Sequence, residues 1–435
     1  MGDRNRERDR TSPDYMSKQE ILDLQTGEFT EVIPYAAETP FYRKKLQKNE
    51  VEIHEIHEIS DLTKLPFTTK EDLRGSSPME RTAHNRDGIA FFFSSSGTTG
   101  SSTTYPWSTK DELVLREVAA RCMEGIGIGP GDISLVLAPF GMPIMWYCML
   151  NQYLAAGAGV VPLGMSPSDK IIEAMSAFPV TVIATVPVVG TRLFEFANLN
   201  RIPLVKNQLR HFHFGGDYLS NARRQRIENY WGVKCYDFYG LSEIFGPIAG
   251  ECEEKNGLHL AVDYVLVEVI DPNTKEEVSE GERGVAVFTT LWKKAAPLLR
   301  YWSDDYVSMT WEKCKCGRTS PRIMYEGRPF DGVFMNNKWF FAKNIEEKLL
   351  LFPESSDEWR IEIKGTIGEP SAKLYLEGTS CEIPIGKIEE SVADSLQIPI
   401  ETEIVRHGSF LRSDLKPRRM VDTRDDIKNR GGNRI

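Results

Sequence analysis

Residues 89–104 read Ile-Ala-Phe-Phe-Phe-Ser-Ser-Ser-Gly-Thr-Thr-Gly-Ser-Ser-Thr-Thr, an apolar run followed by a loop of glycine and hydroxyl residues. The apolar run at 89–93 predicts a strand, and the pattern beginning near Thr109 predicts a helix, so the loop joins a strand to a helix. Gly97 and Gly100 allow a tight turn that brings backbone N–H groups close to an anion. The loop lacks the closing Gly-Lys-Ser/Thr of a Walker A motif. A flexible linker is the plainer alternative, but the position between a strand and a helix favours a phosphate-binding loop.

Outside this loop, helical patterns and short apolar runs alternate. The helical patterns cover residues 16–50, 168–177 and 188–197, and the apolar runs cover residues 133–138, 159–163, 180–186 and 233–238. The alternation predicts an α/β architecture with much parallel sheet, and the pattern after residue 260 is strand-rich. We expect a large N-terminal α/β region of several subdomains over residues 1–328 and a small, mobile α+β C-terminal domain over residues 329–435. Within that domain, residues 333–341 predict one strand, followed by a helix that begins near Asn344. The active site is expected in the cleft between the two regions.

Composition excludes several classes of protein. The 435 residues are 41% hydrophobic and 27% charged, which is typical of soluble globular proteins. The net charge of −10 argues against nucleic-acid partners and anionic membranes. No apolar run reaches the length of about 20 residues that spans a bilayer. The seven cysteines do not resemble a disulfide framework, so we expect a reducing, cytoplasmic location.

Three further motifs carry polar side chains suited to a nucleotide. Residues 236–243 end a strand with a hydroxyl and a carboxylate, which suit a metal–phosphate complex, although a solvated turn is the alternative. Asp304 and Asp305 follow an apolar run and could accept hydrogen bonds from ribose, although an aspartate pair is also common in turns. Lys416 lies near the C-terminus, where a lysine is usually solvated but could neutralise a developing charge.

A separate constellation consists of Cys252, His259, Cys314 and Cys316. Three thiols and an imidazole suit tetrahedral Zn²⁺, and a complete ligand set without a vacant position indicates a structural site. The alternative is four unlinked residues, because neither the Cys-x6-His nor the Cys-x-Cys spacing is that of a standard zinc finger. The other cysteines lie in apolar patterns and are expected to be inert core thiols: Cys122, Cys148, Cys235 and Cys381.

Taken in order, these motifs resemble the adenylate-forming superfamily of acyl-CoA synthetases, peptide-synthetase adenylation domains and luciferases, and most of all its phenylacetate–CoA ligase branch. The matching segments are Ser-Ser-Gly-Thr-Thr-Gly at 95–100, Tyr-Gly-Leu-Ser-Glu at 239–243, Glu-Cys-Glu-Glu-Lys-Asn-Gly-Leu-His at 251–259, Phe-Thr-Thr-Leu at 288–291, Pro-Leu-Leu-Arg-Tyr at 297–301 and Cys-Gly-Arg-Thr at 316–319. The resemblance covers nearly the whole chain from about residue 15. It implies the adenylate-forming enzyme fold, with ATP and Mg²⁺ as cofactors, CoA as the acyl acceptor and a homodimeric assembly.

The resemblance also implies roles for single residues. The nucleotide site would comprise Ser95, Ser96, Gly97, Thr98, Thr99 and Gly100 on the phosphates, Gly215, Gly216 and Asp217 on one face of adenine, Tyr239 on the other face, Asp305 on ribose, and Arg328. The catalytic set would be Ser242 and Glu243, which serve phosphate and Mg²⁺, and Lys416, the adenylation lysine. A carboxylate oxygen would attack the α-phosphorus and pyrophosphate would leave. Catalysis would consist of positioning and charge neutralisation.

The family geometry would place the acid among Phe140, Gly141, Met142, Trp146 and Phe238. Residues of these types more often pack in the protein core than contact a ligand, but glycine and proline interrupt this apolar run as in a loop. We therefore expect an aromatic acid as the substrate. His211 and His213 alternate along an extended run into Gly215. One is expected in the core and the other is a candidate for the pocket, and neither is assigned a catalytic role.

Three departures from the branch touch the second half-reaction. Phe330, which follows Pro329, occupies the position where the family has its hinge aspartate. Residues 336–337 are Asn-Asn where the family has Arg-Gly. Residues 302–305 are Trp-Ser-Asp-Asp where the family has Arg-Thr-Arg-Asp. Acid activation followed by transfer to CoA is the leading prediction. Transfer of the adenylate to an amine or another nitrogen nucleophile is an alternative, and a non-catalytic nucleotide- or acid-binding protein is another. The retention of Lys416 argues against the last.

Overall fold

The computed structural model of the protein describes residues 12–83, 88–95, 102–202, 208–378, 383–412 and 416–424. Ten α-helices lie within these residues: α1 Lys18–Ala37, α2 Pro40–Lys48, α3 Lys70–Arg74, α4 Thr109–Glu124, α5 Met145–Ala155, α6 Ser168–Ala177, α7 Pro187–Leu199, α8 Asn221–Trp231, α9 Ala342–Leu349 and α10 Ile385–Leu396. Nineteen strands accompany them: β1 Ile89–Ser94, β2 Thr104–Ser108, β3 Ile133–Val136, β4 Gly159–Val161, β5 Val182–Thr185, β6 His211–Gly215, β7 Lys234–Leu241, β8 Phe245–Gly250, β9 Leu258–Leu260, β10 Val265–Ile270, β11 Gly284–Thr290, β12 Tyr301–Thr310, β13 Arg322–Gly327, β14 Gly332–Met335, β15 Lys338–Phe341, β16 Trp359–Gly365, β17 Pro370–Glu377, β18 Ile400–Val405 and β19 Met420–Asp422.

Local sequence accounts for where several helices begin. Ser17, Thr69 and Ser108 precede α1, α3 and α4, and each side chain accepts a hydrogen bond from the third helical N–H while the acidic residue there reaches back. The helices predicted at 168–177 and 188–197 are confirmed as α6 and α7. None of the helices in the described ranges is long and apolar enough to cross a bilayer.

Eleven strands form one sheet in the order β10-β11-β12-β13-β9-β8-β7-β6-β5-β3-β4. The strands from β4 to β7 along this order are parallel, whereas each pair from β7 to β10 is antiparallel. The predicted α/β architecture is confirmed, and the strand-rich sequence after residue 260 forms the antiparallel half. Because β5, β6 and β7 are parallel, their carboxyl ends meet at one edge, which is where ligands bind in sheets of this kind.

Strand β6 shows how both faces of the parallel half are covered. Phe212 and Phe214 are buried in a cluster with residues of α6, α7 and α8. His213 points to the opposite face, where its ring lies 5.7 Å from that of Tyr153 on α5. A parallel sheet is apolar on both faces when helices cover both, so a polar ring inside it needs hydrogen-bond partners.

The C-terminal part forms its own sheet, in the order β18-β17-β16-β19. Helices α9 and α10 bury Leu349 and Val392 against Ile361 and Leu374 of this sheet, in a cluster of its own. The predicted single strand at 333–341 is wrong, because this segment forms the antiparallel hairpin β14–β15.

The reversal of that hairpin depends on two asparagines. Asn336 and Asn337 both adopt positive φ, of 50° and 59°. Positive φ at both central residues matches the right-handed twist of a hairpin, and asparagine tolerates this conformation better than most residues. The Asn-Asn departure therefore satisfies the backbone of the turn without a glycine.

Ion pairs hold the C-terminal sheet against the large sheet. The guanidinium of Arg223 on α8 lies 2.5 Å from the carboxylate of Glu346 on α9. Glu347 accepts hydrogen bonds from the backbone N–H groups of Asn221 and Ala222, at 2.6 and 2.9 Å. A carboxylate at a helix N-terminus is favoured by the helix dipole. The C-terminal sheet is thus fixed beside the carboxyl ends of the parallel strands.

Candidate active site

Two adjoining cavities lie at the carboxyl ends of β6 and β7, where the C-terminal part meets the large sheet. One has a volume of about 550 Å³ and the other about 420 Å³. Both are lined by Lys70, Gly216, Phe238, Tyr239, Gly240, Ser303, Arg328 and Lys416. The structure therefore brings Gly216, Tyr239, Arg328 and Lys416, which are far apart in the sequence, to one boundary between two chambers.

The turn after β6 requires glycine. Gly216 has φ +84°, and a Cβ at this position would lie 2.9 Å from the Sδ atom of Met145. The adjacent Gly215 lines the smaller cavity and Asp217 lines the larger one. Burial raises the pKa of Asp217, an effect that the nearby Lys416 opposes. This turn presents backbone and one carboxylate to the chambers at the end of the strand.

Asp305 is fully buried and acts through two neighbours. Its carboxylate accepts hydrogen bonds from the hydroxyl of Tyr239, at 2.5 Å, and from both Nε and Nη2 of Arg328. Its own N–H donates to Ser303 Oγ at 3.0 Å. Within the described residues, Tyr239 and Arg328 line both cavities, whereas Asp305 lines neither of them. Asp305 therefore fixes two side chains that line the cavities. Its role in binding ribose stays a prediction.

Lys416 reaches the cavities from the C-terminal part. Burial, followed by the charge of Arg328, lowers the pKa of Lys416, whereas Asp217, Asp305 and Glu243 raise it. The ammonium thus sits among three carboxylates and one guanidinium. It is placed to meet an anion that enters between them.

A buried carboxylate anchors the segment that carries Lys416. Asp331 is the last residue of the short 3₁₀-helix Pro329–Asp331. Its carboxylate accepts hydrogen bonds from the backbone N–H groups of Arg419 and Met420, at 3.0 and 3.2 Å. Burial raises the pKa of Asp331 to about 7. Asp331 thus ties the 3₁₀-helix to the segment that carries Lys416.

Ser242 and Glu243 follow β7 and line the smaller cavity. Glu243 is almost fully buried, and the Nζ atom of Lys70 lies 3.9 Å from its carboxylate. Lys293 is buried below the turn and donates to the backbone oxygen of Glu243. Burial lowers the pKa of Lys293 to about 8. A carboxylate and a hydroxyl facing a chamber are hard oxygen donors, so this pair fits a Mg²⁺ ion that keeps its other ligands from water and phosphate.

No role in the site was predicted for Lys70 or Lys293 from the sequence. Lys70 lies in the run Leu-Pro-Phe-Thr-Thr-Lys at 65–70. The proline of this run could have indicated a loop beside the active site. Lys293 lies in an ordinary Trp-Lys-Lys run that carries no such pattern.

Most of the predicted phosphate-binding loop lies outside the described residues: Ser96, Gly97, Thr98, Thr99 and Gly100. Its first residue, Ser95, lines the smaller cavity. The N–H of Ser95 donates to the Thr103 carbonyl at 3.0 Å, and the N–H of Thr103 donates to Ser95 Oγ at 3.1 Å. These bonds close the base of the loop beside the cavity.

Only some of the residues predicted to contact the acid line the cavities. Of the predicted residues, Phe238 lines both cavities, but Phe140 is 79% exposed and Met142 is 50% exposed. The indole N–H of Trp146 donates to the Gly141 carbonyl at 2.7 Å. Neither Trp146 nor Gly141 lines either of the two cavities in the described part of the chain. The reason is that residues 140–142 lie in the exposed loop between β3 and α5, whereas residues of α5 itself line the smaller cavity.

The inward face of α5 has helical spacing. Met145, Cys148, Met149 and Gln152 line the smaller cavity at intervals of three and four residues. The other walls of this cavity come from strand ends and loops: Pro139, Pro143, Ile144, Val186, His213, Leu241, Gly246, Pro247 and Tyr301. The result is a mostly apolar chamber with a few polar groups, as is usual for small-molecule sites.

The candidate metal cluster lies apart from the cavities. The ligand atoms of Cys252, His259, Cys314 and Cys316 all lie within 4.8 Å of one another. The Sγ atoms of Cys252 and Cys314 are 3.7 Å apart, and Cys316 Sγ is 3.5 Å from His259 Nε2. A tetrahedron with Zn–S of about 2.3 Å and Zn–N of about 2.1 Å has edges of about 3.8 and 3.6 Å, so the four residues fit zinc.

The second ring nitrogen of His259 faces away from the thiols. Nδ1 lies 3.1 Å from Ser320 Oγ and 3.3 Å from the Ser320 carbonyl. A metal-binding histidine usually donates its other N–H to such an acceptor, which fixes the ring. Ser320 thus provides the hydrogen-bond partner that would orient His259 as a zinc ligand.

Known proteins share both sequence and structure with this chain. Residues 29–290 match the AMP-binding enzyme family. The chain is 33% identical over 365 residues to a phenylacetate–coenzyme A ligase of Thermus thermophilus, covering 82% of this chain and 82% of that protein. The crystal structure of 2-hydroxyisobutyryl-CoA ligase in the postadenylation state, with 2-HIB-AMP, has a TM-score of 0.88 at 24% identity and covers 96% of this chain and 93% of that chain.

The same ligase in the thioesterification state, with 2-HIB-AMP and CoA, has a TM-score of 0.70 at 25% identity, with coverage of 96% and 93%. The overall arrangement of this chain is therefore more similar to the postadenylation structure than to the thioesterification structure. The family match spans more than half of the chain, and the sequence identity to the Thermus ligase extends over four fifths of it. The protein belongs to the AMP-binding family of adenylate-forming enzymes, as a relative of the phenylacetate–coenzyme A ligases.

Proposed function

We propose that this protein activates a small aromatic carboxylic acid with ATP, releases pyrophosphate, and transfers the acyl group from the adenylate to coenzyme A. The main support is the position of Lys416 and Arg328 at the boundary shared by the two cavities. An acid in the apolar chamber would present its carboxylate to the α-phosphate of a nucleotide in the adjoining one. The relatives named phenylacetate–coenzyme A ligase favour the same reaction.

In the first half-reaction, a carboxylate oxygen of the acid attacks the α-phosphorus and the bond to pyrophosphate breaks. Lys416 and Arg328 stabilise the negative charge that develops on the phosphate oxygens. Tyr239 and the turn at residues 215–217 hold the nucleoside, so that the two reacting atoms meet in a productive geometry. When bound, Mg²⁺ supplies further charge neutralisation on the phosphates, and Glu243 with Ser242 would hold it.

For the second half-reaction, we propose that residues 329–435 move as a domain relative to residues 1–328. The movement would turn about the segment from Arg328 to Gly332 and carry Lys416 out of the cavity. The hinge residue Asp331 keeps its hydrogen bonds within the C-terminal part, to Arg419 and Met420. The thiol of coenzyme A would then attack the acyl carbon, and AMP would leave.

Pyrophosphate release tests this function directly. With ATP, Mg²⁺ and a panel of aryl and short aliphatic acids, we expect release to depend on the acid and to accelerate when coenzyme A is added, with a thioester as product. Release that is indifferent to coenzyme A would point to a nitrogen nucleophile as acceptor. No release with any acid would contradict the proposal and leave a nucleotide-binding protein.

We also propose that Cys252, His259, Cys314 and Cys316 hold a structural zinc ion that ties the turn before β9 to the loop before β13. We expect one zinc per chain by elemental analysis. Cys314→Ser should abolish zinc binding and lower the unfolding temperature, because metal binding stabilises only the folded state. Cys122→Ala is the control, since this buried thiol lies outside the cluster and its loss should leave the zinc content unchanged. Clean, folded protein without zinc would contradict the proposal.

A further inference from the structure

Two polar side chains of the smaller cavity are not among the residues that it shares with the larger one. Gln152 and His213 line only the smaller cavity, whereas Lys416 and Arg328 line both. Both side chains are almost fully buried. Tyr153, which is also buried, donates from its hydroxyl to His213 Nδ1 at 2.5 Å. Burying polar groups is costly, so a hydrogen-bonded trio inside an acid-binding chamber calls for a ligand that uses it.

The hydrogen bonds of the trio define what it offers to a ligand. His213 Nδ1 lies 2.5 Å from the Tyr153 hydroxyl and 3.1 Å from Gln152 Nε2. Both neighbours donate to Nδ1, so this nitrogen is the acceptor and the proton of the neutral ring is on Nε2. Burial lowers the pKa of His213 to about 3, which keeps the ring neutral at physiological pH.

Two polar atoms of the trio are left for a ligand. Among the described residues, none accepts from His213 Nε2 and none donates to Gln152 Oε1. Both atoms are open to the cavity, because the two side chains line it and neither atom is among the buried polar atoms that lack a partner. The chamber thus presents one donor and one acceptor side by side. A hydroxyl group can satisfy both at once, because its O–H donates and its oxygen accepts.

The surrounding walls suit an aromatic ring. The ring of His213 lies 3.8 Å from that of Phe238, and the apolar side chains of Met149 and Val186 line the same cavity. We propose that the acid activated by this enzyme is a hydroxyaryl carboxylic acid, whose hydroxyl accepts from Nε2 of His213 and donates to Oε1 of Gln152. This inference rests on the proposed acid activation and names its substrate class.

The first test compares acids that differ only in a hydroxyl group. We expect kcat/KM for pyrophosphate release to be at least about 100-fold higher for one of the monohydroxy derivatives of phenylacetate or benzoate than for its parent acid. Sites built to bond a hydroxyl reject the analogue that lacks it by about 10⁴-fold or more in favourable cases. A parent acid that equals or exceeds all of its hydroxy derivatives would overturn the inference.

Variants then assign the preference to the trio. His213→Phe should reduce the hydroxyl preference below about tenfold, because the donor to the hydroxyl is lost and the ring-shaped wall is kept. Gln152→Met should weaken the preference by itself and serves where His213→Phe does not fold. His211→Phe is the matched control, because this buried histidine on the same strand packs on Tyr236 outside the cavity. An unchanged preference in folded His213→Phe and Gln152→Met would overturn the inference.

Binding separates this inference from the proposed function. Acyl-sulfamoyl adenosines made from a hydroxyaryl acid and from its parent are stable mimics of the adenylate, and calorimetry measures their affinities. We expect the hydroxyl form to bind at least about 100-fold more tightly, a difference of about 2.7 kcal/mol. Equal, tight binding would contradict only the substrate class. Absence of binding by both, together with absence of pyrophosphate release, would contradict the proposed function itself.

Discussion

Replacing Lys416 with alanine is expected to slow pyrophosphate release by about 10²- to 10³-fold, with little change in the affinity for the acid, because the variant loses a charge that acts on the transition state. The ammonium lies among Arg328, Asp217 and Glu243 at the boundary of the two cavities. Single-turnover release of pyrophosphate from saturated enzyme measures the chemical step directly.

The effect of Lys416→Ala should be confined to the first half-reaction. When a synthetic acyl-adenylate and coenzyme A are supplied, we expect the variant to form thioester at close to the wild-type rate. Lys387→Ala is the control, because this exposed lysine on α10 belongs to the same part of the chain and lies away from both cavities. Unchanged pyrophosphate release in Lys416→Ala would show that the lysine has no role in adenylation.

Replacing Asp305 with alanine is expected to weaken ATP binding by about 100-fold, a loss of about 2.7 kcal/mol, because Arg328 and Tyr239 lose the buried carboxylate that positions them. The buried carboxylate holds both Arg328 and Tyr239 in the positions from which they line the nucleotide cavity. The variant should also unfold at lower temperature, since the Arg328 guanidinium loses its counter-charge. Calorimetric titration with ATP and thermal unfolding measure the two effects.

A second aspartate–arginine pair provides the control for Asp305→Ala. Asp422 lies 2.6 Å from Arg424 in the C-terminal sheet, away from both cavities. Asp422→Ala should lower stability while leaving ATP affinity unchanged. If Asp305→Ala bound ATP as tightly as the wild type, Asp305 would be a structural residue without influence on the nucleotide site.

Local sequence was sufficient for the fold class and for many element boundaries. The helix predicted at 168–177 coincides with α6, and the helix predicted near Thr109 begins at that residue, because apolar spacing and capping residues act within a few positions. The hairpin at 332–341 was missed because a β-branched and aromatic run was interpreted as one strand, although Asn336 and Asn337 carry the turn.

The metal cluster shows how chemistry in the sequence and pairing in the fold combine. Ligand type and the Cys-x-Cys spacing indicated the four residues, but they lie in two segments far apart in the chain. Pairing of β9 with β13, with His259 opposite Arg322, brings those segments together. Such long-range strand pairing has no local sequence signature, so only the tertiary structure establishes that the four ligand atoms are neighbours.

The α/β architecture was predictable from the sequence, because it depends on residue type and short-range apolar spacing. The roles predicted for Lys416 and Glu243 came from the resemblance to the family and stay predictions. Which side chains line the smaller cavity was not predictable without the packing of distant elements. The tertiary structure turned α5 so that Met149 and Gln152, instead of Phe140, line the cavity, and it paired His213 with Tyr153. The physical reason is that a cavity is the space left by the packing of distant elements, and its lining depends on how those elements are rotated against one another.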